Sequence, residues 1–232
     1  MATSGSSDFT MTARQVIIFA ARKLGIANDG GQTIASEDSD ILLEELNMLL
    51  KGMQKSGPFI FSVQTDGTKA LVTATASYAL TTQKPLRLLE VRYSDVNGRE
   101  IPMTEMTRTE YFELPQKNSK GVPTNFWYDS NGQDYTIYVW PVPSVATTET
   151  IQFTYMRKVE DIDDLANNLD IPVEWLDTVG YRLAKRGISS FGTKGERAQN
   201  IRDMDAELWQ QAMDYDREDI VTFRPESRYR HG

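Results

Sequence analysis

The hydrophobic period of this chain changes twice, from helical to alternating near Phe59 and back to helical near Asp170, which limits the folds open to it. In the first segment Thr12-Ala13-Arg14-Gln15 has capping-box spacing. Ile17, Ala20 and Leu24 follow on one helical face, and Gly25 stands where a C-terminal cap belongs. After a Gly-rich turn from Asn28 to Gln32, Ser36 with Glu37, Asp38 and Asp40 supplies a cap and negative charge at a helix start. Leu42, Leu46, Leu49 and Met53 continue at spacings of 4, 3 and 4 until Gly57-Pro58 ends the pattern.

From Phe59 onward, β-branched and aromatic residues alternate between turn signals. Asp66-Gly67, Asn97-Gly98 and Asn131-Gly132 each predict a hairpin. In the strand YTIYVW, Tyr135, Ile137 and Val139 fall on one face and Thr136, Tyr138 and Trp140 on the other. That strand is therefore covered on both sides or carries an aromatic outer face. Pro141 and Pro143 cannot donate ladder hydrogen bonds and should end it. A last strand spans Thr150 to Val159, and Thr107 to Phe112 predicts a short capped helix. Asp170-Ile171-Pro172 then opens a helix lined by Leu176, Val179, Leu183 and Gly187. Past Thr193-Lys194-Gly195, a final amphipathic helix is lined by Ile201, Met204, Leu208, Ala212 and Tyr215, its other face acidic through Glu218 and Asp219.

The expected fold class is α+β: an antiparallel helical bundle of two N-terminal and two C-terminal helices, an inserted antiparallel β subdomain and an extended C-terminal tail. The expected boundaries are 1–57 for the N-terminal arm and first helical pair and 58–165 for the β-rich insertion with its short helix. The second helical pair takes 166–219 and a docking tail 220–232.

Composition narrows the chemistry. At 232 residues and 40% hydrophobic, the chain suits one domain or two small ones, given about 100–200 residues per domain. No apolar run reaches the roughly 18 residues of a membrane helix, and MATSGSSDFT lacks a secretory pattern, so no membrane association and synthesis in the cytosol are expected. With no Cys and one His, His231, a disulfide, a thiol nucleophile, a Cys-His zinc site and a Ser-His-Asp triad are excluded within one chain. A net charge of −8 and a pI near 4.8 repel phosphate backbones, so DNA, if met, is not gripped.

No Gly-rich phosphate loop and no Gly-x-Ser-x-Gly elbow occur, and no metal or cofactor is expected. Glu174 with Asp177 and Glu110 with Glu113 sit at helical spacing, where they read as charges beside caps; residue type alone leaves a glycosidase-like pair open. Asp161, Asp163 and Asp164 lack the Gly and terminal Glu of a calcium loop. Lys194-Gly195, near Arg186 and Arg197, reads as a helix-hairpin turn or a phosphate contact. Phe126, Trp127, Tyr128, Tyr135, Tyr138 and Trp140 read as core packing plus a protein interface, with a stacking platform for sugar or base as the alternative. Phe223, Arg224, Arg228, Tyr229 and Arg230 in the basic tail are either filler or a docking peptide, since aromatics and Arg dominate interface hot spots.

The order of motifs resembles a family. The run from Pro85 to Pro143, with its Glu-Ile-Pro-Met segment, Glu-Tyr-Phe helix, Gly-x-Pro before aromatics and Trp-Pro-x-Pro strand end, is preceded by TARQVIIFAARKLGI and followed by IPVEWLDTVGYRLAKRGISSFG. Together these resemble the head-to-tail adaptor, or tail accessory factor, of short-tailed bacteriophages from about Thr12 to Asp219. The resemblance implies a structural virion protein, not an enzyme, made in the bacterial host cytoplasm and placed at the head–tail junction. It implies a homo-oligomeric, usually dodecameric ring beneath the portal protein that extends the DNA channel and carries a nozzle or tail-tube protein. It also implies portal docking by the tail, Thr222 to Gly232 here. A ring subunit needs two different complementary patches, and the aromatics Phe126, Trp127, Tyr128, Tyr138 and Trp140 are expected to form the β core and one subunit edge. The acidic helices, Ser36 to Ser56 and Lys194 to Asp219, are candidates for a channel wall along which DNA slides. The rival readings are a phage-associated peptidoglycan hydrolase using the carboxylates, and an adaptor or tube component of a long-tailed phage.

Overall fold

The computed structural model describes residues 9–28, 30, 32–55, 62–130, 135–145 and 148–216. The chain divides into two compact units, Met1–Glu45 with Pro172–Gly232, and Leu46–Ile171. The fold is mixed α+β, as the double change of period predicts.

In the first unit, helix α1 (Ala13–Leu24) begins at a complete capping box. The Gln15 amide donates to the Thr12 hydroxyl, and the Thr12 amide donates to the Gln15 side chain at 2.9 Å. It ends at Gly25, whose left-handed φ of 83° lets its amide reach the Ala21 carbonyl. Helix α2 (Ser36–Met53) takes Ser36 as its first helical residue rather than as its cap, with Glu37 and Asp38 in the first turn; residues 36–45 belong to this unit. Pro172 precedes a 3-10 turn (Val173–Trp175) that leads into α4 (Leu176–Ser190). Helix α4 packs against α1 and against α5 (Gly195–Tyr215). The α1–α4 approach is close because α4 lacks side chains where the helices meet. A Cβ on Gly180 would lie 2.6 Å from the Phe19 ring, and one on Gly187 would lie 2.7 Å from Leu24. Buried Val16, Ile17, Ala20, Val179, Leu183 and Ala184 fill the seam.

Helix α5 departs from its expected face at two positions. Tyr215 is exposed, whereas Asp205 is buried at 1% exposure. Helix α4 brings Lys185 to within 2.5 Å of the Asp205 carboxylate and Arg182 to 3.9 Å, so the buried charge is countered by cations and α5 is held to α4. Arg182 also lies 3.5 Å above the Trp209 ring, and burial lowers its pKa while Asp205 opposes that.

The second unit is built on two sheets that share one core. The first has the order β1 (Val63–Ala70), β10 (Thr150–Met156), β3 (Arg87–Ser94), β4 (Glu100–Pro102), all antiparallel. The second has the order β2 (Ser77–Ala79), β8 (Thr136–Trp140), β7 (Asn125–Asp129), β5 (Thr104–Glu105); its β5–β7 pair is parallel. A parallel pair of β6 (Lys120–Gly121) and β9 (Val142–Pro143) adds a two-stranded piece. Phe153, Ile151, Ile137 and Val139, all fully buried, come from both sheets into the same cluster.

Asn97-Gly98 closes the β3–β4 hairpin, with Gly98 at φ 76° and its amide on Asp95. β7 and β8 pair antiparallel around residues 131–134, which lie outside the described residues. Asp66-Gly67 is not a hairpin. β1 runs straight through it with a bulge: Gln64 faces Tyr155 and Gly67 faces Phe153, so β1 spends one residue more than β10. The glycine serves close approach rather than turning, since a Cβ there would stand 2.3 Å from the Phe153 ring. Pro141 does end β8, but Val142 and Pro143 pair again with β6.

Candidate interaction surface

The antiparallel register of β7 on β8 sorts the aromatic stretch by face. Phe126 opposes Val139 and Tyr128 opposes Ile137, and both rings turn toward the core cluster. Tyr128 donates its phenol to the Pro85 carbonyl at 2.5 Å, and burial pushes that phenol's pKa well up. On the other face Trp127 directly opposes Tyr138, and the two rings stack with centroids 4.7 Å apart.

This second face is roofed by helix α3 (Arg108–Glu113). Its N-terminus is fixed by the Thr107–Glu110 capping box, and it is tied to the sheet through the Met106 amide on the Phe126 carbonyl at 2.7 Å. Tyr111 reaches down to 5.4 Å from Trp127 and 5.2 Å from Tyr138 and is itself buried, which raises its phenol pKa. Phe112 stands beside it, 5.5 Å from Trp127, but remains 55% exposed. The Arg108 guanidinium lies 5.6 Å and the Lys117 ammonium 5.9 Å from the Phe112 ring. Lys117 is held there by the Phe112 and Leu114 carbonyls, and the Trp140 indole donates to Gln116 at 3.1 Å.

The result is a four-ring cluster, one pair stacked and the others tilted or edge-on, whose outermost member, Phe112, meets solvent beside two cations. Phe126 and Trp127 are almost wholly buried, so their part is packing; Tyr138 and Trp140 are half-buried. Phe112 is the ring a partner can cover, a rigid aromatic anchor on a preorganised base. Sequence reasoning found α3 but gave neither Tyr111 nor Phe112 a role. The available signal was two adjacent aromatics on a helix of under two turns, of which one must face inward and one outward.

Residues 11–230 match a family model described as SU10 adaptor protein. The chain belongs to the SU10 adaptor protein family. No curated protein matches it. Membership supports a bacteriophage adaptor with a structural role in the particle.

The remaining candidate residues of this SU10 adaptor family member are dispersed. Arg186 is bound to Glu45 at 2.6 Å, and the Arg197 guanidinium lies against Gly25, so the basic residues near Lys194 do not converge. Asp161 pairs with Lys51, and Asp164 accepts from the Ala166 amide. Glu110 accepts from Thr107, first through the backbone amide, and its carboxyl is held below its ordinary pKa, opposite to the shift a general acid needs. Glu174, in the 3-10 turn before α4, and Asp177, in the first turn of α4, are both exposed. Among the described residues no cluster of three or more acidic or His side chains is placed to hold a metal, and no helix is long and apolar enough to cross a membrane. The tail residues Phe223, Arg224, Arg228, Tyr229 and Arg230 lie outside the described residues.

Proposed function

We propose that this protein is the head-to-tail adaptor of a short-tailed bacteriophage. It forms a ring, dodecameric in this reading, under the portal protein, continues the DNA channel without binding DNA specifically, and seats the nozzle or tail-tube protein at the head–tail junction. The observation that carries the reading is the family match over residues 11–230. Supporting it, α3 offers one neighbour an aromatic anchor rimmed by cations, while the chain as a whole is acidic with a net charge of −8. A basic-rimmed patch meeting an acidic neighbour is the kind of unlike pair that a closed ring requires. In this reading Trp127, Tyr138 and Trp140 stiffen the subunit edge from beneath while Phe126 and Tyr128 fix the β core behind it. Portal contact falls to Phe223, Arg224, Arg228, Tyr229 and Arg230.

The experiment compares the intact chain with one truncated after Val221 for co-sedimentation with the portal protein. The expected outcome is an unchanged circular-dichroism spectrum with weakened portal binding. Unchanged binding would remove the tail from the portal contact.

A further inference from the structure

Two clefts in the first unit meet at the same pair of carboxylates. The larger, of about 520 Å³, is apolar on its walls, with Phe9, Phe19, Val173 and Leu176 among its lining and Glu174 and Asp177 at its edge. Phe9 and Val173 are exposed, so it opens to solvent. The smaller, of about 120 Å³, runs from the same Glu174 and Asp177 to Leu208, Ala212 and Tyr215. Helix α5 therefore delivers the chain, at Tyr215, to one end of a path whose other end is an apolar cleft. Neither carboxylate pairs with a cation among the described residues. Asp177 accepts from the adjacent Thr178 amide and hydroxyl, both through Oδ1, which leaves Oδ2 open to a further donor.

The segment that leaves α5 has the complementary chemistry. From Val221 to Gly232 it carries Phe223 and Tyr229 and sets Arg224, Arg228 and Arg230 against a single Glu226. We propose that this chain's own C-terminal segment folds back across the Glu174–Asp177 rim, with Phe223 in the apolar cleft and Arg224 on the carboxylates. Length permits it. Phe223 lies seven positions beyond Asp216, and an extended chain covers roughly 3.3–3.6 Å per residue. Tyr215 lines the same small cleft as Glu174 and Asp177, so the tail starts beside the rim it has to cross. Attachment through α5 makes the contact intramolecular, at an effective concentration of order millimolar for a short link, so weak pairing suffices. The contact is also easily exchanged, because exposed ion pairs and one aromatic side chain hold it. The proposal stands apart from the adaptor reading. If both hold, the docked tail and the portal-bound tail exclude one another, and the cleft keeps the tail in store until a portal displaces it.

The test is amide hydrogen exchange, read by mass spectrometry on the intact chain at low salt, against a synthetic peptide of residues 217–232. Tail amides around Phe223 should exchange about tenfold more slowly in the chain than in the peptide, to the same degree at every protein concentration. The double substitution Glu174→Gln and Asp177→Asn should restore the peptide's rate. So should Phe223→Ala, which leaves the folded unit untouched. Exchange at the peptide's rate in the unaltered chain, or protection that survives both variants, would overturn the proposal. Protection that rises with concentration would overturn it in favour of a second copy as the occupant.

Discussion

Replacing Gly67 by alanine tests the bulge that the sequence did not announce. A Cβ at Gly67 would lie 2.3 and 2.4 Å from two ring carbons of Phe153 and 2.7 Å from the Phe153 carbonyl oxygen. The ring cannot swing clear, because Phe153 is fully buried and packs 5.6 Å from the Tyr155 ring. The carbonyl contact is backbone, so relief means parting β1 from β10. Overpacking a filled core costs about 1–3 kcal/mol, and two rigid contacts place this site near ~3 kcal/mol. At roughly 2–4 °C per kcal/mol for a chain of this size, the melting temperature should fall by about 6–12 °C. Gly98→Ala is the control: at φ 76° with nothing within 4 Å of its Cβ, it meets backbone strain alone. That strain is worth about 1–2 kcal/mol. Differential scanning calorimetry of both variants decides the matter. A Gly67→Ala protein that melts no lower than Gly98→Ala would refute the close-approach account.

Further outcomes follow from the charge pairs and the exposed ring. Burial opposes the charge of Asp170, but Arg157, which holds it through both guanidinium nitrogens, and the Glu160 amide outweigh burial and keep its pKa below the ordinary value. Its stabilisation is thus complete above the unfolded carboxyl's pKa of about 3.9 and is lost as pH falls through the depressed value. Urea midpoints should accordingly separate Asp170→Asn from the parent at pH 7 and begin to draw together only as the pH falls below about 4. Asp205→Ala should lower stability by about 3 kcal/mol in the same assay, the low end for a broken buried pair because Lys185 can reach water. Phe112→Asp should leave the melting temperature within about 2 °C of the parent, as exposed substitutions do, while reducing self-association measured by sedimentation velocity.

The helices were legible because their signals are local. Thr12 with Gln15, Gly25 and Thr107 with Glu110 specify caps within four residues, and the Leu176–Leu183 stripe shows which face goes inward. What escaped depends on a partner distant in sequence. Gly67 carries the same dipeptide that starts a hairpin, and only Phe153 on β10 makes it a bulge. Asp205 reads as one more acid on an acidic helix until Lys185 and Arg182 are seen beside it. The aromatic stretch announced an aromatic layer but not which ring is left outside, because α3, contributed from upstream, covers Trp127 and Tyr138 and puts Phe112 on the surface.

The central claim is that this chain assembles on a portal. Mass photometry of the purified protein alone, and then mixed at moderate salt with the portal protein of the same phage, tests it most directly. The account predicts one new species that saturates at a fixed ratio of adaptor to portal. A mixture in which both proteins keep their separate masses at micromolar concentration would contradict it.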